Sequence, residues 1–288
     1  MKFSVCIVTL PNYPHSEAFR EVAETLHHGL QELGHESEIT SRFDRTDRRQ
    51  IVLGSNLLPR RSDRPAPGSV LYNLEQAGSG WMTPQLLELF RGYELWDYTA
   101  VNIAEFARLG ITGVRQLPLG HAAAMSRIGP REEDVDVLMY GSFNERRKRI
   151  HDELQRRGVR VQQLFNVYGQ ARDAWIARAR IVLNSHIYDA KIFEQVRVTY
   201  LLSNRRFVIA ETGVDQAEEM QFAPGVVFAR YEELVDRCTE YLGRPEERAA
   251  IAERGYELMT RRPVSAYLRP LIPDPLHGAS RTITQDCP

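Results

Sequence analysis

Two turns of the sequence combine a strand end, a helix start and positive charge, a pattern typical of anion binding. In "YGSFNERRKR", Gly141 and Ser142 follow an apolar run, and Arg147 is one of four basic residues, 146–149, that open a helical pattern. In "LNSHIYDAKIFEQVR", Lys191 falls in the predicted first turn of another helix. A helix N-terminus attracts anions and disfavours cations, so a cation kept there indicates a bound anion such as a diphosphate. For most of residues 146–149, a solvated basic helix face explains the pattern equally well.

The same strand ends carry polar side chains that could complete a binding site. Open α/β sheets bind ligands beyond the carboxyl ends of their strands, and the sequence places four polar residues there: Asn144, Asn184, His186 and Glu194. Glu194 would accept hydrogen bonds from ribose hydroxyls or form a plain surface ion pair with Lys191. His186 would bond a sugar or phosphate, or only the backbone of its own loop.

Two residues are candidates for a catalytic base. Glu75, in "YNLEQ", lies at a predicted strand end in the first half of the chain, where it would act as a general base or merely cap the turn. His186 is the second candidate. No HExxH, CxxC or Walker lysine loop occurs, so the sequence predicts no metal site and no resident cofactor.

Strand-like and helix-like segments alternate along almost the whole chain, which predicts parallel sheets covered by helices on both faces. The predicted fold class is α/β, with two doubly wound, Rossmann-like lobes facing a cleft. The pattern restarts after a small, polar segment that contains Gly-Pro. We therefore predict an N-terminal lobe at 1–120, an interdomain connection at 121–134, a C-terminal lobe at 135–262, and a final helix with a flexible tail at 263–288.

Composition narrows the classes of protein. The 288 residues are 43% hydrophobic and 26% charged, with a net charge of −1, so nothing in the overall charge favours nucleic acid or an anionic membrane. No segment approaches the roughly 20 apolar residues of a membrane span, and the N-terminus lacks the basic region and cleavage site of a signal peptide. The three cysteines, Cys6, Cys238 and Cys287, have no metal-like spacing and predict reduced thiols in a cytoplasmic protein.

The second lobe resembles bacterial group-1 glycosyltransferases of the GT-B fold. The likeness is carried by "VDVLMYGSFNERRKRIHDEL", "LFNVYGQARDAWIARARIVLN" and "KIFEQVRVTYLLSNRRFVIAETG", within about Val135 to Gly213. It implies that Gly141, Ser142 and Arg147 contact a diphosphate. It also implies that a donor-binding helix runs from Lys191 to Asn204. In one respect the sequence departs from the family, because Tyr200 stands where many members have the second of two glutamates.

The resemblance implies a metal-independent transfer of a sugar from a nucleotide donor, with uridine diphosphate (UDP) as the default nucleotide. The second lobe would hold the donor, the first would hold an acceptor (a small molecule, glycan or protein), and "PVSAYLRPLI" would cross back as a helix to the first lobe. Three alternatives stay open: a non-catalytic glycosyltransferase homologue, a two-lobed small-molecule binding protein, and a sugar-nucleotide epimerase.

Overall fold

The computed structural model describes residues 1–272 and contains two parallel β-sheets, one in each half of the chain. Cys287 and the tail 273–288, which we predicted to be flexible, lie outside the described residues. The predicted fold class, two Rossmann-like α/β lobes, is confirmed.

The first sheet has six strands in the order β2-β1-β3-β4-β5-β6, all parallel. Its strands are Lys2–Ile7 (β1), Glu36–Thr40 (β2), Arg49–Leu53 (β3), Val70–Asn73 (β4), Glu94–Asp97 (β5) and Arg115–Gln116 (β6). The α-helices of this half are Arg20–Glu32 (α1), Pro84–Gly92 (α2) and Ala100–Arg108 (α3), with 3-10 turns at Pro14–Phe19, Ser55–Arg60 and Ala123–Met125.

The second sheet has five parallel strands in the order β11-β10-β9-β7-β8. They are Val135–Tyr140 (β7), Val161–Leu164 (β8), Ala179–Asn184 (β9), Val208–Glu211 (β10) and Val226–Ala229 (β11). The remaining helices are Glu145–Arg156 (α4), Gly169–Arg178 (α5), Gln195–Ser203 (α6), Gln216–Met220 (α7), Leu234–Leu242 (α8), Pro245–Thr260 (α9) and Val264–Leu268 (α10), with a 3-10 turn at Tyr231–Glu233.

Each sheet is covered on both faces because its strands are apolar on both faces. In β1, Phe3 and Val5 belong to one core, and Cys6, on the opposite side of the pleat, belongs to another. In β7, Leu138 and Met139 divide between two cores in the same way. This double burial is what parallel sheets require.

Local residues decide where several elements begin and end. The segment "HSEAFREVAETLHHGLQELG" has a helical pattern from His15, but α1 begins at Arg20, because Pro14 opens a 3-10 turn. The segment 113–120 has a strand-like pattern but forms only the short strand Arg115–Gln116. Thr83 and Pro84 form a typical helix start: the Thr83 side chain accepts a hydrogen bond from the Leu86 N–H (3.3 Å), and Pro84 is the first helical residue.

The end of the described chain packs against the first lobe. A Cβ placed on Gly29 of α1 would lie 2.4 Å from Cγ1 of Val264, so α10 and α1 are in close contact. Pro263 and His121 form a parallel bridge beside this contact. Val264 and Leu268 thereby join the core of the first lobe.

Across the described part of the chain, no helix combines the length and apolar character needed to cross a bilayer. Cys6 and Cys238 are buried free thiols, and burial raises the pKa of each to about 12. The cytoplasmic location stays a prediction.

Candidate functional site

A cavity of about 610 Å³ lies between the carboxyl ends of the two sheets. Its first-lobe wall includes Tyr13, His15, Asn56, Arg60, Glu75, Gln76 and Trp81, and its second-lobe wall includes Tyr140, Gly141, Ser142, Arg147, Tyr188, Glu194, Arg197 and Tyr200. Its volume is in the range of small-molecule sites. Of the predicted site residues it gathers Glu75, Gly141, Ser142, Arg147 and Glu194, whereas Asn144, Asn184, His186 and Lys191 do not line it.

The turn between β7 and α4 depends on Gly141 and Asn144. Gly141 has φ +101°, a conformation that disfavours a side chain, and a Cβ there would lie 2.9 Å from Nη2 of Arg197, which would have to move. Asn144 caps α4 by accepting a hydrogen bond from the Arg147 N–H (2.9 Å). Asn144 therefore shapes the turn from outside the cavity.

Two guanidinium groups, Arg147 and Arg197, lie on either side of this turn. Arg147 is 3% exposed and donates to the carbonyls of Ser142 (2.7 Å) and Ser185 (3.1 Å). Arg197 donates to Oδ1 of Asn184 (2.7 Å) and stacks over Tyr140. Within residues 1–272 neither forms an ion pair with a carboxylate. Burial and the charge of Arg197 lower the pKa of Arg147 to about 10. Glu194 and Glu211 act on Arg147 only from beyond ion-pair distance, so an anion that enters the cavity would be a closer partner for the two cations.

The prediction that Lys191 opens a helix is wrong. Lys191 is an exposed loop residue with φ +46°, and α6 begins four residues later at Gln195. The backbone is held out of the helix by distant partners: Gln76 binds the Ile192 carbonyl (2.8 Å) and N–H (3.4 Å), and the Val214 N–H binds the Lys191 carbonyl (3.1 Å). Arg197, in the first turn of α6, lines the cavity, whereas Lys191 does not.

Two other basic residues of α4, Arg146 and Lys148, form ion pairs with neighbouring carboxylates. Arg146 forms an ion pair with the buried carboxylate of Glu211, and Lys148 pairs with Asp152 (2.5 Å). For these two residues, charge pairing with neighbouring side chains is the correct interpretation of the basic run.

Glu194 is held in place by two predicted residues that lie behind it. Nδ2 of Asn184 donates to Oε2 of Glu194 (2.8 Å), and Nδ1 of His186 contacts Oε1 (3.0 Å). Burial favours neutral forms of both groups, but their mutual attraction outweighs it, so the pKa of His186 is raised and that of Glu194 is lowered. His186 is 1% exposed and does not line the cavity, so it is placed to orient Glu194 rather than to contact a molecule in the cavity. This position does not favour the predicted role as a catalytic base.

Glu75 occupies the facing wall on a network of buried amides. Its main-chain carbonyl accepts from Nδ2 of Asn73 (2.8 Å) and Asn102 (2.9 Å). Both amides also donate to the buried carboxylate of Asp97 (2.7 and 3.0 Å). Nδ2 of Asn56 donates to Oε1 of Glu75 at 3.3 Å. Burial raises the pKa of Glu75 to about 7, the range suited to a general base near neutral pH.

Tyr200 lines the cavity and joins a charged network that crosses between the lobes. Its hydroxyl donates to Asp173 (2.7 Å) and accepts from Arg127 (3.0 Å). Beside it, Arg172 of α5 donates to Glu21 of α1 (2.8 Å). Tyr200, which stands where the resemblance implies a second glutamate, therefore takes part in the contact between the lobes.

Sequence reasoning missed Arg197 and Asp97. Asp97 is the last residue of β5 and therefore lies at a strand end. Arg197 was missed because the helix was expected to start at Lys191, whereas α6 starts at Gln195. Among the described residues, no group of three or more His, Cys, Asp or Glu is arranged to hold a metal ion.

A family model described as "Glycosyl transferase-like" matches residues 121–266. Two uncharacterized proteins of Acanthamoeba polyphaga mimivirus are 27% and 28% identical over 113 residues, or 38% of this chain. The matches span only 13% and 37% of those proteins, so the chain covers less than two-fifths of the curated relatives' length.

Solved structures match nearly the whole chain at low identity. Sucrose-phosphate synthase from Thermosynechococcus elongatus has a TM-score of 0.58 and 10% identity. HepE from Anabaena in complex with UDP-glucose has a TM-score of 0.57 and 12% identity. A mutant of T4 phage BGT in complex with UDP-glucose has a TM-score of 0.58 and 14% identity. Each alignment covers 94% of this chain and 98% of the other. These likenesses show a shared two-lobed fold, GT-B.

Proposed function

We propose, from the premise that the chain belongs to the glycosyl transferase-like family, that it moves a sugar from a UDP-sugar to an acceptor hydroxyl without a metal ion. The predicted class, a glycosyltransferase with the GT-B fold, is confirmed by that membership and by the fold. The nucleotide, the acceptor and the absence of a metal are the proposal.

The observation that carries the proposal is the arginine pair. Arg147 and Arg197 face the Gly141 turn without a carboxylate at ion-pair distance in the described chain, and burial together with their repulsion lowers the pKa of Arg147. A diphosphate is the anion that fits two guanidinium groups beside a glycine turn, because each guanidinium can donate two parallel hydrogen bonds to phosphate oxygens. These cations would also neutralise the charge that a metal ion otherwise neutralises.

The nucleoside of the donor would extend from the arginines toward Glu194. A carboxylate is a suitable acceptor for ribose hydroxyls, and the lowered pKa keeps Glu194 ionised. The choice of UDP draws on proteins of the same fold that were solved with UDP or UDP-glucose.

The chemistry follows from the carboxyl group of Glu75 on one wall and the two arginines on the other. Glu75 removes the proton from the acceptor hydroxyl, whose oxygen forms a bond to the anomeric carbon. The bond from that carbon to the β-phosphate oxygen breaks, and its electron pair leaves with UDP. Arg147 and Arg197 stabilise the charge that develops on the leaving group, which is transition-state stabilisation of the oxyanion type. Direct displacement with a protein base inverts the anomeric carbon.

The experiment is a thermal-shift series with UDP, GDP, ADP, CDP and TDP, first with EDTA and then with magnesium. A ligand at 100 times its Kd stabilises the folded state by about 2.7 kcal/mol, so binding is readily seen. We expect a selective shift with UDP that does not need magnesium. A shift that requires magnesium would contradict the metal-independent proposal, and no shift with any nucleotide would contradict the donor site.

A further inference from the structure

A second cavity, of about 340 Å³, is lined mainly by first-lobe residues. It shares Asn56, Arg60, Trp81 and Tyr188 with the main cavity, so the two cavities adjoin. Gly80 lines the part that lies beyond the shared residues. We refer to this second cavity as the side slot. It meets the main cavity beside Asn56, whose amide donates to Glu75.

Asn56 leaves a buried oxygen without a hydrogen-bond donor. The residue is 6% exposed, and its Nδ2 is used on Glu75, but its Oδ1 has no hydrogen-bond partner among the described residues. A buried carbonyl oxygen left unpaired is unfavourable, and a donor from a molecule in the slot would satisfy it. With the Glu75 carboxylate beside it, the junction offers two acceptors to two hydroxyl groups.

The slot also has a flat aromatic wall. Nε1 of Trp81 donates to the Tyr188 hydroxyl at 3.3 Å, a bond that crosses between the lobes. Arg60 lies with its guanidinium carbon 5.6 Å from the centroid of the Trp81 ring, and it forms no ion pair with a carboxylate of residues 1–272. Aromatic faces carry negative charge density that attracts C–H edges and cations. A wall of this kind suits the C–H face of a sugar ring, with Arg60 free to donate to ring oxygens.

We propose that the side slot is the acceptor site and that the acceptor is a saccharide. The reacting hydroxyl donates to Glu75, a neighbouring hydroxyl donates to Oδ1 of Asn56, and the ring packs on Trp81. A serine or threonine of a protein acceptor has a single hydroxyl and would leave one of these two acceptors unpaired. An apolar acceptor with one hydroxyl would likewise leave either Glu75 or Oδ1 of Asn56 without a hydrogen-bond donor. This inference rests on the proposed glycosyl transfer and names the class of its second substrate.

The test blocks the slot at a glycine. A Cβ on Gly80 meets nothing within 4 Å, and the same is true of Gly129, which lines neither cavity. Gly80→Phe is therefore the blocking variant and Gly129→Phe the matched control. Transfer from the UDP-sugar that the wild type hydrolyses is measured with a panel of glucose, galactose, mannose, N-acetylglucosamine, maltose and cellobiose.

We expect sugar-dependent transfer in the wild type and in Gly129→Phe, and at least a tenfold loss in Gly80→Phe with the Kd for UDP kept within twofold. Trp81→Ala, as a second variant, should raise the KM for the saccharide at least tenfold. Equal transfer in Gly80→Phe and the control would overturn the assignment of the slot. Hydrolysis of the donor without transfer to any saccharide would overturn the acceptor class while leaving the proposed donor chemistry standing. Absence of nucleotide binding in the wild type would instead overturn the proposed function itself.

Discussion

The two walls of the main cavity differ in charge and in how their polar groups are satisfied. The second-lobe wall presents Arg147 and Arg197, which lack a carboxylate partner in the described chain. The first-lobe wall presents Glu75, supported by amides and the buried carboxylate of Asp97. The second-lobe wall can bind an anion. The first-lobe wall holds the carboxyl group of Glu75, whose pKa is raised to about 7.

In the proposed reaction, this difference separates two chemical tasks within one cavity. The cationic wall would stabilise the leaving group, which requires charge of fixed sign. The facing wall would accept a proton, which requires a group that titrates near neutral pH. Glu75→Gln tests proton acceptance, and Arg197→Ala tests leaving-group stabilisation. If both substitutions impair the same step, the two walls do not have separate tasks.

The largest effect is expected for Glu75→Gln. The amide cannot accept the proton, so kcat should fall by about 10²–10⁴, while the Kd for UDP stays within twofold because the donor contacts the other wall. Steady-state kinetics and calorimetry measure the two quantities. A variant with wild-type kcat would show that Glu75 is not the base.

Arg197→Ala should impair the donor side instead. We expect transfer to fall by about 10²–10³ and UDP to bind more weakly, while the melting temperature without ligand is kept. Within residues 1–272 the side chain of Arg197 makes one hydrogen bond, to Asn184, besides its stacking on Tyr140, and it lies beside another cation. Arg205→Ala, which removes an exposed arginine paired with Glu253, is the control. Unchanged UDP affinity in Arg197→Ala would contradict the anion site.

The pH dependence of the wild type should report Glu75. Its carboxyl group must be ionised to accept a proton, and burial raises its pKa to about 7. Activity should therefore fall as pH drops through about 7, by about tenfold for each unit below it. Asp97, whose pKa burial also raises to about 7, titrates in the same range. The residual activity of Glu75→Gln should no longer decrease below about pH 7. If the decrease persists in this variant, the pH dependence belongs to another group.

His186→Ala should have a smaller effect, through Glu194. Loss of one buried hydrogen bond to the carboxylate costs about 1.4 kcal/mol, or about tenfold in UDP affinity. His186→Asn keeps a side-chain donor and should recover part of that loss. An equal defect in both variants, with unchanged melting temperatures, would refute the positioning role.

Lys191→Ala should change least. The side chain is exposed and lies outside the main cavity, so we expect UDP affinity within twofold of the wild type. A tenfold loss of affinity would mean that the loop closes over the diphosphate and that the sequence-based assignment of Lys191 was correct.

Sequence patterns located the parts of the site that depend on neighbouring residues. The turn at Gly141, the cap at Asn144 and the start of α2 at Thr83 all follow from local backbone chemistry. The expectation that ligands bind beyond the carboxyl ends of parallel strands selected Glu75 and Glu194, and both line the cavity. These features rest on a few adjacent residues or on the order of the strands.

Tertiary structure alone decided which second cation serves the site. The sequence pattern starts a helix at Lys191, but Gln76, more than 100 residues away, takes both backbone groups of Ile192 and delays α6 to Gln195. That delay leaves Lys191 in solvent and brings Arg197 beside Arg147. In the same way, the contact of Tyr200 with Asp173 and Arg127 joins distant segments. Contacts of this kind compete with local helix propensity and cannot be read from the segment that they reshape.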